Sequence, residues 1–118
     1  MCETERKYFT FIETPIFTRR IDTIATLDVL MAIQDELIEN PTRGAVVQGT
    51  GGARKARIAD PNDNRGKSGS YRYLYLYLEA HGRVHLLFFF GKNEQDNLSP
   101  EQKKLVARIV GQIKGAAK

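Results

Sequence analysis

From Ser70 to Glu79 the chain reads SYRYLYLYLE, a strict two-residue alternation. Tyr71, Tyr73, Tyr75 and Tyr77 fall on one side, and Arg72, Leu74, Leu76 and Leu78 on the other. Successive side chains of a strand point to opposite faces, so this segment commits the chain to a sheet. Ala80 to Arg83, with Gly82 in the turn, closes a hairpin. Val84 to Phe90 then runs apolar without a break apart from His85. Such a run predicts a central strand covered on both faces.

The remaining elements arrange themselves around this hairpin. Tyr8 to Ile12 is a short apolar strand, ended by Pro15, which opens a short helix to Ile21. Leu27, Leu30, Met31, Ile33, Leu37 and Ile38 recur at helical spacing, and Asn40-Pro41 stops that helix. Ala45 to Gln48 is extended, Gly49 to Gly52 is a turn, and Ala53 to Ala59 is a strand. Asp60 to Gly69 is loop. Ser99-Pro100-Glu101-Gln102 is a capping box, followed by an apolar stripe of Leu105, Val106, Ile109, Val110 and Ile113. The order β-α-α-β-β-β-α predicts an α+β fold with a small antiparallel sheet, two N-terminal helices and one C-terminal helix. Residues 1–118 form a single domain, with 1–7 expected as a flexible N-terminus.

Composition excludes several classes. The lone cysteine, Cys2, has no partner for an internal disulfide. No apolar run approaches the ~20 residues of a membrane span, and MCETERKY lacks the apolar stretch of a signal peptide. A cytoplasmic location is expected, with no membrane partner. The net charge of +4 is modest, but it is concentrated. GTGGARKARIADPNDNRGKSGSYR, residues 49–72, holds Arg54, Lys55, Arg57, Arg65, Lys67 and Arg72 against Asp60 and Asp63. Cations on a strand and its flanking loop, among small residues, suit nucleic-acid phosphate.

Alternation places Lys55 and Arg57 on one face of their strand and Arg54, Ala56 and Ile58 on the other. Gly66-Lys67-Ser68 is not a phosphate-binding P-loop: Pro61 stands where the first glycine belongs, and a strand follows instead of a helix. His81 falls in a turn and His85 inside a strand, with no further ligand to complete a metal site, so no metal or cofactor is expected. The four tyrosines read first as a half-buried sheet face. Tyr71 and Tyr73, nearest the basic loop, are the candidates for stacking on bases. Gly91-Lys92-Asn93-Glu94 brings a further cation and a carboxylate to the end of the central strand.

Four features in order carry a family resemblance: FIETPIFTRRID, GTGG-x-RK-x-R with its basic loop and strand-opening arginine, an apolar strand ending GKNE, and LSPEQKK. Together they span about Phe9 to Ile113. The combination resembles the RelE/ParE superfamily of bacterial type II toxin–antitoxin systems, in its HigB-like branch. The resemblance implies a small antiparallel sheet with helices packed on one face and a basic cleft on the other. It implies a ribosome-dependent mRNA endoribonuclease that stops translation, and a cognate antitoxin that inhibits it. Partners would be the antitoxin, the ribosome and mRNA, with operator DNA reached only through the antitoxin. Carried over, the catalytic set is Lys55, Arg57, Arg72 and Lys92, and the RNA-binding set is Arg54, Arg65, Lys67, Tyr71 and Tyr73. Phe90 stands where relatives often carry tyrosine, and Asp96 to Leu98 lacks the late tyrosine of some RelE enzymes.

The implied reaction is attack of an RNA 2′-hydroxyl on the adjacent phosphate. Lys and Arg supply charge for the phosphorane. A lysine is a poor base at neutral pH, and clustering cations is the general means of improving it. Lys55 or Lys92 is the expected proton-transfer group, with Arg57 and Arg72 on the phosphate; Glu94 is expected as a salt-bridge partner that orients these cations, with a role as base the alternative. Two other classes share these residues: a nonenzymatic RNA-binding or decayed toxin, and a ParE-like inhibitor of DNA gyrase. An antitoxin has two routes, over the basic cleft or onto the helices between Pro15 and Asn40, and the second is favoured by apolar side chains there.

Overall fold

The computed structural model describes residues 2–62, 70–92, 94 and 97–117. Strands β1 (Cys2–Arg6) and β2 (Phe9–Glu13) lead into helices α1 (Pro15–Ile24) and α2 (Leu27–Glu39). Strands β3 (Ala45–Val46), β4 (Arg54–Ala59), β5 (Ser70–Leu78) and β6 (Arg83–Phe90) follow, and helix α3 (Pro100–Ala116) closes the chain. One six-stranded sheet results, in the order β1-β2-β6-β5-β4-β3.

This is the expected α+β class, with three differences in detail. Residues 2–6 are a strand, not a flexible terminus, paired antiparallel with β2. The turn that joins them is made by Lys7 and Tyr8, with φ of 44° and 76°. Asn-Gly is the usual signal for a two-residue hairpin, so nothing in Lys-Tyr announces it. The piece at Ala45–Val46 joins the sheet as a short edge strand. The sheet is also not wholly antiparallel: β2 runs parallel to β6. The segment between them supplies the crossover that a parallel pair needs.

The two sheet faces have different covers. Thr14 caps α1, accepting from the Phe17 amide at 3.0 Å and donating to the Leu87 carbonyl at 2.7 Å. That tie docks α1 against β6. Phe17 and Ile21 of α1 and Val29, Ile33 and Leu37 of α2 are buried against Phe11, Ile58, Tyr71, Tyr73, Tyr75, Leu86 and Phe89. The opposite face packs Ala53, Leu74, Leu76 and Leu87 against Val106 and Val110 of α3. The resemblance implied helices on one face alone, whereas α3 shares the second face with the basic residues. The capping box forms as expected: the Ser99 amide donates to Gln102 Oε1 at 2.9 Å, and the Gln102 amide to Ser99 Oγ at 3.2 Å.

One irregularity shapes the second face. Leu74 pairs with Phe88 but Tyr75 pairs with Leu86, so Leu87 is an extra residue on β6. A bulge breaks the alternation by one. Leu87 and Phe88 therefore both face α3, and Phe90 follows Phe88 on that side.

Candidate nucleic-acid interface

Strand register assembles the site. Lys55 lies opposite Leu74, and Arg57 opposite Arg72. Arg72 in turn lies opposite Phe90 of β6. Residues directly opposite share a face, so Lys55, Arg57 and Arg72 stand together on the α3 side, toward the open end of β5. Like charges directly opposite one another cost stability. The Arg57–Arg72 pair sets two guanidiniums at facing positions of neighbouring strands. The three cations line an open cleft of about 510 Å³ with Arg43 and Ala56. Among the described residues that line it, none is acidic.

Arg43 is the functional candidate that sequence reasoning missed. It sits in the turn after α2, where no periodicity marks it. The guanidinium donates to the Arg57 carbonyl at 3.1 Å and to the Tyr73 hydroxyl at 3.3 Å. It also pairs with Glu36 at 2.9 Å. Burial raises the Glu36 carboxyl above its ordinary value, with Arg43 acting in the opposite sense. Burial also pushes the Tyr73 phenol well up, so it stays protonated and neutral. Tyr75 holds the turn in place: its hydroxyl donates to the Pro41 carbonyl at 2.9 Å and accepts from the Gly44 amide at 2.9 Å. A Cβ on Gly44 would stand 2.9 Å from both the Lys55 carbonyl and the Tyr75 ring, so glycine is needed for this approach.

Other expected site residues are placed elsewhere. Arg54 points to the helix face, and its guanidinium donates to the Thr42 and Gly44 carbonyls at 3.1 and 2.7 Å. Those bonds clamp the Arg43 turn and give Arg54 a structural role. Tyr71 and Tyr73 are buried, at 7% and 0% exposure, because α1 and α2 cover their face. The Tyr71 hydroxyl is spent on the Ile24 carbonyl at 3.1 Å. Neither ring is open to a base, which corrects the stacking expectation. Lys92 is not among the cleft-lining residues. Its ammonium lies 4.9 Å above the Tyr71 ring and 3.6 Å from Asp60, toward the helix face.

Lys55 reaches Asn97 Oδ1 at 3.5 Å, just before α3. Glu94 pairs with Arg20 of α1 and accepts from the Gly91 amide at 2.6 Å, so its salt bridge is made with α1 and not with the cleft cations it was expected to orient. Arg65 and Lys67 lie outside the described residues. His81 is exposed in its turn, while His85 is buried at 5% and burial lowers its pKa, with Arg83 adding to the effect. Among the described residues no group of His, Cys, Asp and Glu is arranged to hold a metal ion. No helix among them is long and apolar enough to cross a membrane.

No protein-family model matches the chain. Its fold is that of a solved toxin: the crystal structure of the isolated E. coli RelE toxin superposes with a TM-score of 0.54 at 20% sequence identity. The match covers 87% of this chain and 99% of that one. This is therefore an α+β protein of RelE-like fold. The basic cleft lies at one end of that fold's sheet.

Proposed function

We propose that this protein is the toxin of a toxin–antitoxin system, HigB-like in branch, and that it cuts mRNA on the ribosome. The observation that carries this reading is the cleft itself, where Arg43, Lys55, Arg57 and Arg72 converge without an acidic lining residue among those described. The RelE-like fold supports it as analogy, since a fold alone does not assign a function.

In this reading the scissile phosphate sits between Arg57 and Arg72. Their guanidiniums match phosphate oxygens in bidentate geometry and stabilise the charge that builds in the phosphorane. The 2′-oxygen bonds to phosphorus as the bond to the 5′-oxygen breaks. The products are a 2′,3′-cyclic phosphate and a 5′-hydroxyl. One proton leaves the 2′-hydroxyl and one is delivered to the departing 5′-oxygen. Lys55, whose ammonium reaches Asn97 Oδ1 at 3.5 Å, is the group assigned here to transfer a proton. Arg43, fixed by Glu36, Tyr73 and the Arg57 carbonyl, adds static positive charge and supports the Arg57 backbone.

Among the described residues such a site has cations but no paired carboxylates or histidines, so the ribosome must orient the substrate. Free mRNA should be cut poorly. A cognate antitoxin is the partner that holds the activity in check in the cell of origin. The test is purified protein with programmed ribosomes, mapping mRNA 5′ ends, with free mRNA and a DNA gyrase cleavage assay in parallel. Cuts that need the ribosome are the expected result. Cleavage of free mRNA at the same rate, or gyrase poisoning without mRNA cleavage, would overturn the proposal.

A further inference from the structure

The edge of β4 points to residues that act on the cleft from behind it. β3 pairs with β4 at Ala45–Lys55 and Val46–Arg54, and there the ladder ends. Carried further along both strands, the same register would set Arg43 opposite Arg57. The chain has left the sheet by then, and the Arg43 side chain does what a neighbouring strand would have done. Its Nη1 donates to the Arg57 carbonyl at 3.1 Å. A carbonyl left at a sheet edge has only water to bond, and strand segments held that way open easily. This carbonyl belongs to a residue that lines the cleft.

Arg43 is itself held at two further points. The same Nη1 donates to the Tyr73 hydroxyl at 3.3 Å, and Nη2 lies 2.9 Å from Glu36 Oε1. A planar guanidinium fixed through both terminal nitrogens has little room to turn. Tyr73 is fully buried in the core beneath α1 and α2, so its hydroxyl is a fixed anchor. Glu36 stands on α2, outside the cleft lining. The two side chains of the Glu36–Arg43 pair are 38% and 29% exposed. Such a pair adds little to stability, so orientation is its main product. Nor does the turn depend on it. The Tyr75 hydroxyl already binds the Pro41 carbonyl and the Gly44 amide, and Arg54 binds the Thr42 and Gly44 carbonyls. With the turn held by those bonds, the side-chain bonds of Arg43 are left to serve Arg57.

We propose that Glu36 and Tyr73 are positioning residues of the cleft. They fix the Arg43 guanidinium, which holds the Arg57 carbonyl and so sets where the Arg57 guanidinium meets the RNA phosphate. The inference rests on the ribonuclease reading and adds to it two residues from the helix side of the sheet. Neither touches the substrate. A misplacement of about 1 Å at a reacting group can cost about a hundredfold in rate, so loosening one anchor of three should cost a smaller factor.

Two measurements test this. In the first, ribosomal cleavage is compared for wild type, Tyr73→Phe, Glu36→Ala, Arg43→Lys and Arg43→Gln, with thermal melting as a check on folding. Phenylalanine keeps the buried ring and removes only the hydroxyl. Tyr73→Phe and Glu36→Ala should each lower kcat about threefold and leave KM unchanged, as the loss of an interaction realised in the transition state does. Lysine keeps the charge but is one point on a flexible stem and cannot replace the fork. Arg43→Lys should therefore lose about tenfold, as Arg43→Gln does. In the Arg43→Gln background, Tyr73→Phe and Glu36→Ala should cost nothing more, because residues of one network do not act independently. Wild-type kcat in both single variants, losses that multiply with that of Arg43→Gln, or full activity of Arg43→Lys would overturn the proposal. The second measurement does not depend on activity. The carbonyl-carbon NMR shift of Arg57 reports the bond from Arg43, and it should move in Arg43→Lys and, in the same direction and by less, in Tyr73→Phe. A shift unchanged in both variants would overturn the proposal. No cleavage by wild type, with the carbonyl shifts moving as expected, would sink the ribonuclease reading and leave the hold on Arg57 standing.

Discussion

The two faces of the central sheet start from the same alternating strand and end with opposite fates. On the tyrosine face, α1 and α2 close over Tyr71, Tyr73 and Tyr75, and the hydroxyls are turned to structural work. On the other face, α3 covers only part of the surface, over Leu74, Leu76 and Leu87. Where that cover stops, Lys55, Arg57, Arg72 and Phe90 stand beside open space. Aromatic residues that looked suited to binding bases are thus part of the scaffold, and the working surface is where the second layer ends. Burial, more than residue type, separates the two roles.

The largest expected effect tests the scaffold half of that comparison. Tyr73 is fully buried, in contact with Tyr75 at 5.7 Å between ring centroids. Tyr73→Ala should cost about 3–5 kcal/mol of stability, by lost burial and the cavity left behind. Urea unfolding measures it. A loss below about 1 kcal/mol would mean the face is not sealed as described.

Next comes the working half. Arg72→Ala should lower ribosomal cleavage about a hundredfold, as loss of a transition-state charge partner does. The variant should stay folded under the assay conditions, which thermal melting checks. Activity lost only in step with unfolding would place Arg72 with the scaffold instead. Arg43→Gln sits between the halves, since the residue both lines the cleft and ties Glu36 and Tyr73 together. About a tenfold loss of cleavage and about 1 kcal/mol of stability are expected. Cleavage at the wild-type rate would show that Arg43 serves only the fold.

A smaller effect depends on pH. Burial lowers the pKa of His85, so the folded protein resists protonation there. Above the ordinary histidine value of about 6.5 both states are neutral and stability is at its full value. Below it the unfolded chain gains a proton that the folded chain refuses, so stability falls as pH falls. Buried Glu13 and half-buried Glu36, whose pKa values are raised, act in the opposite sense closer to the carboxylate range. The difference between wild type and His85→Leu isolates the histidine. From pH 7 toward 5 the wild type should lose ground by at most about 1.4 kcal/mol per unit. A difference independent of pH would contradict the burial of this ring.

The smallest effect concerns Lys92, which the structure sets against Tyr71 and Asp60. Lys92→Met should cost about 0.5–1 kcal/mol of stability through the lost cation–π contact. Cleavage should fall far less than with Arg72→Ala. A hundredfold loss would return Lys92 to the catalytic group and blur the division between the faces.

Sequence alone determined the elements whose signals are local. Alternation in SYRYLYLYL, the apolar run of β6, the capping box at Ser99 and the proline stops depend on neighbours a few residues apart, and each appears where it was expected. Alternation also put Lys55 and Arg57 on one face and Arg54 on the other. Only the tertiary structure decided the rest. β1 depends on a Lys-Tyr turn that has no local preference for its φ values. The parallel β2–β6 pair and the bulge at Leu87 come from contacts between residues some seventy positions apart or from strand register. Arg43 reaches the cleft because Tyr75 and Arg54 clamp its turn, and Lys92 leaves it for the Tyr71 ring. Which sheet face would be sealed and which left open is likewise invisible in a two-residue period, since that period is symmetric. The distinction was settled by where three helices could pack, and with it the place where an anionic chain can bind.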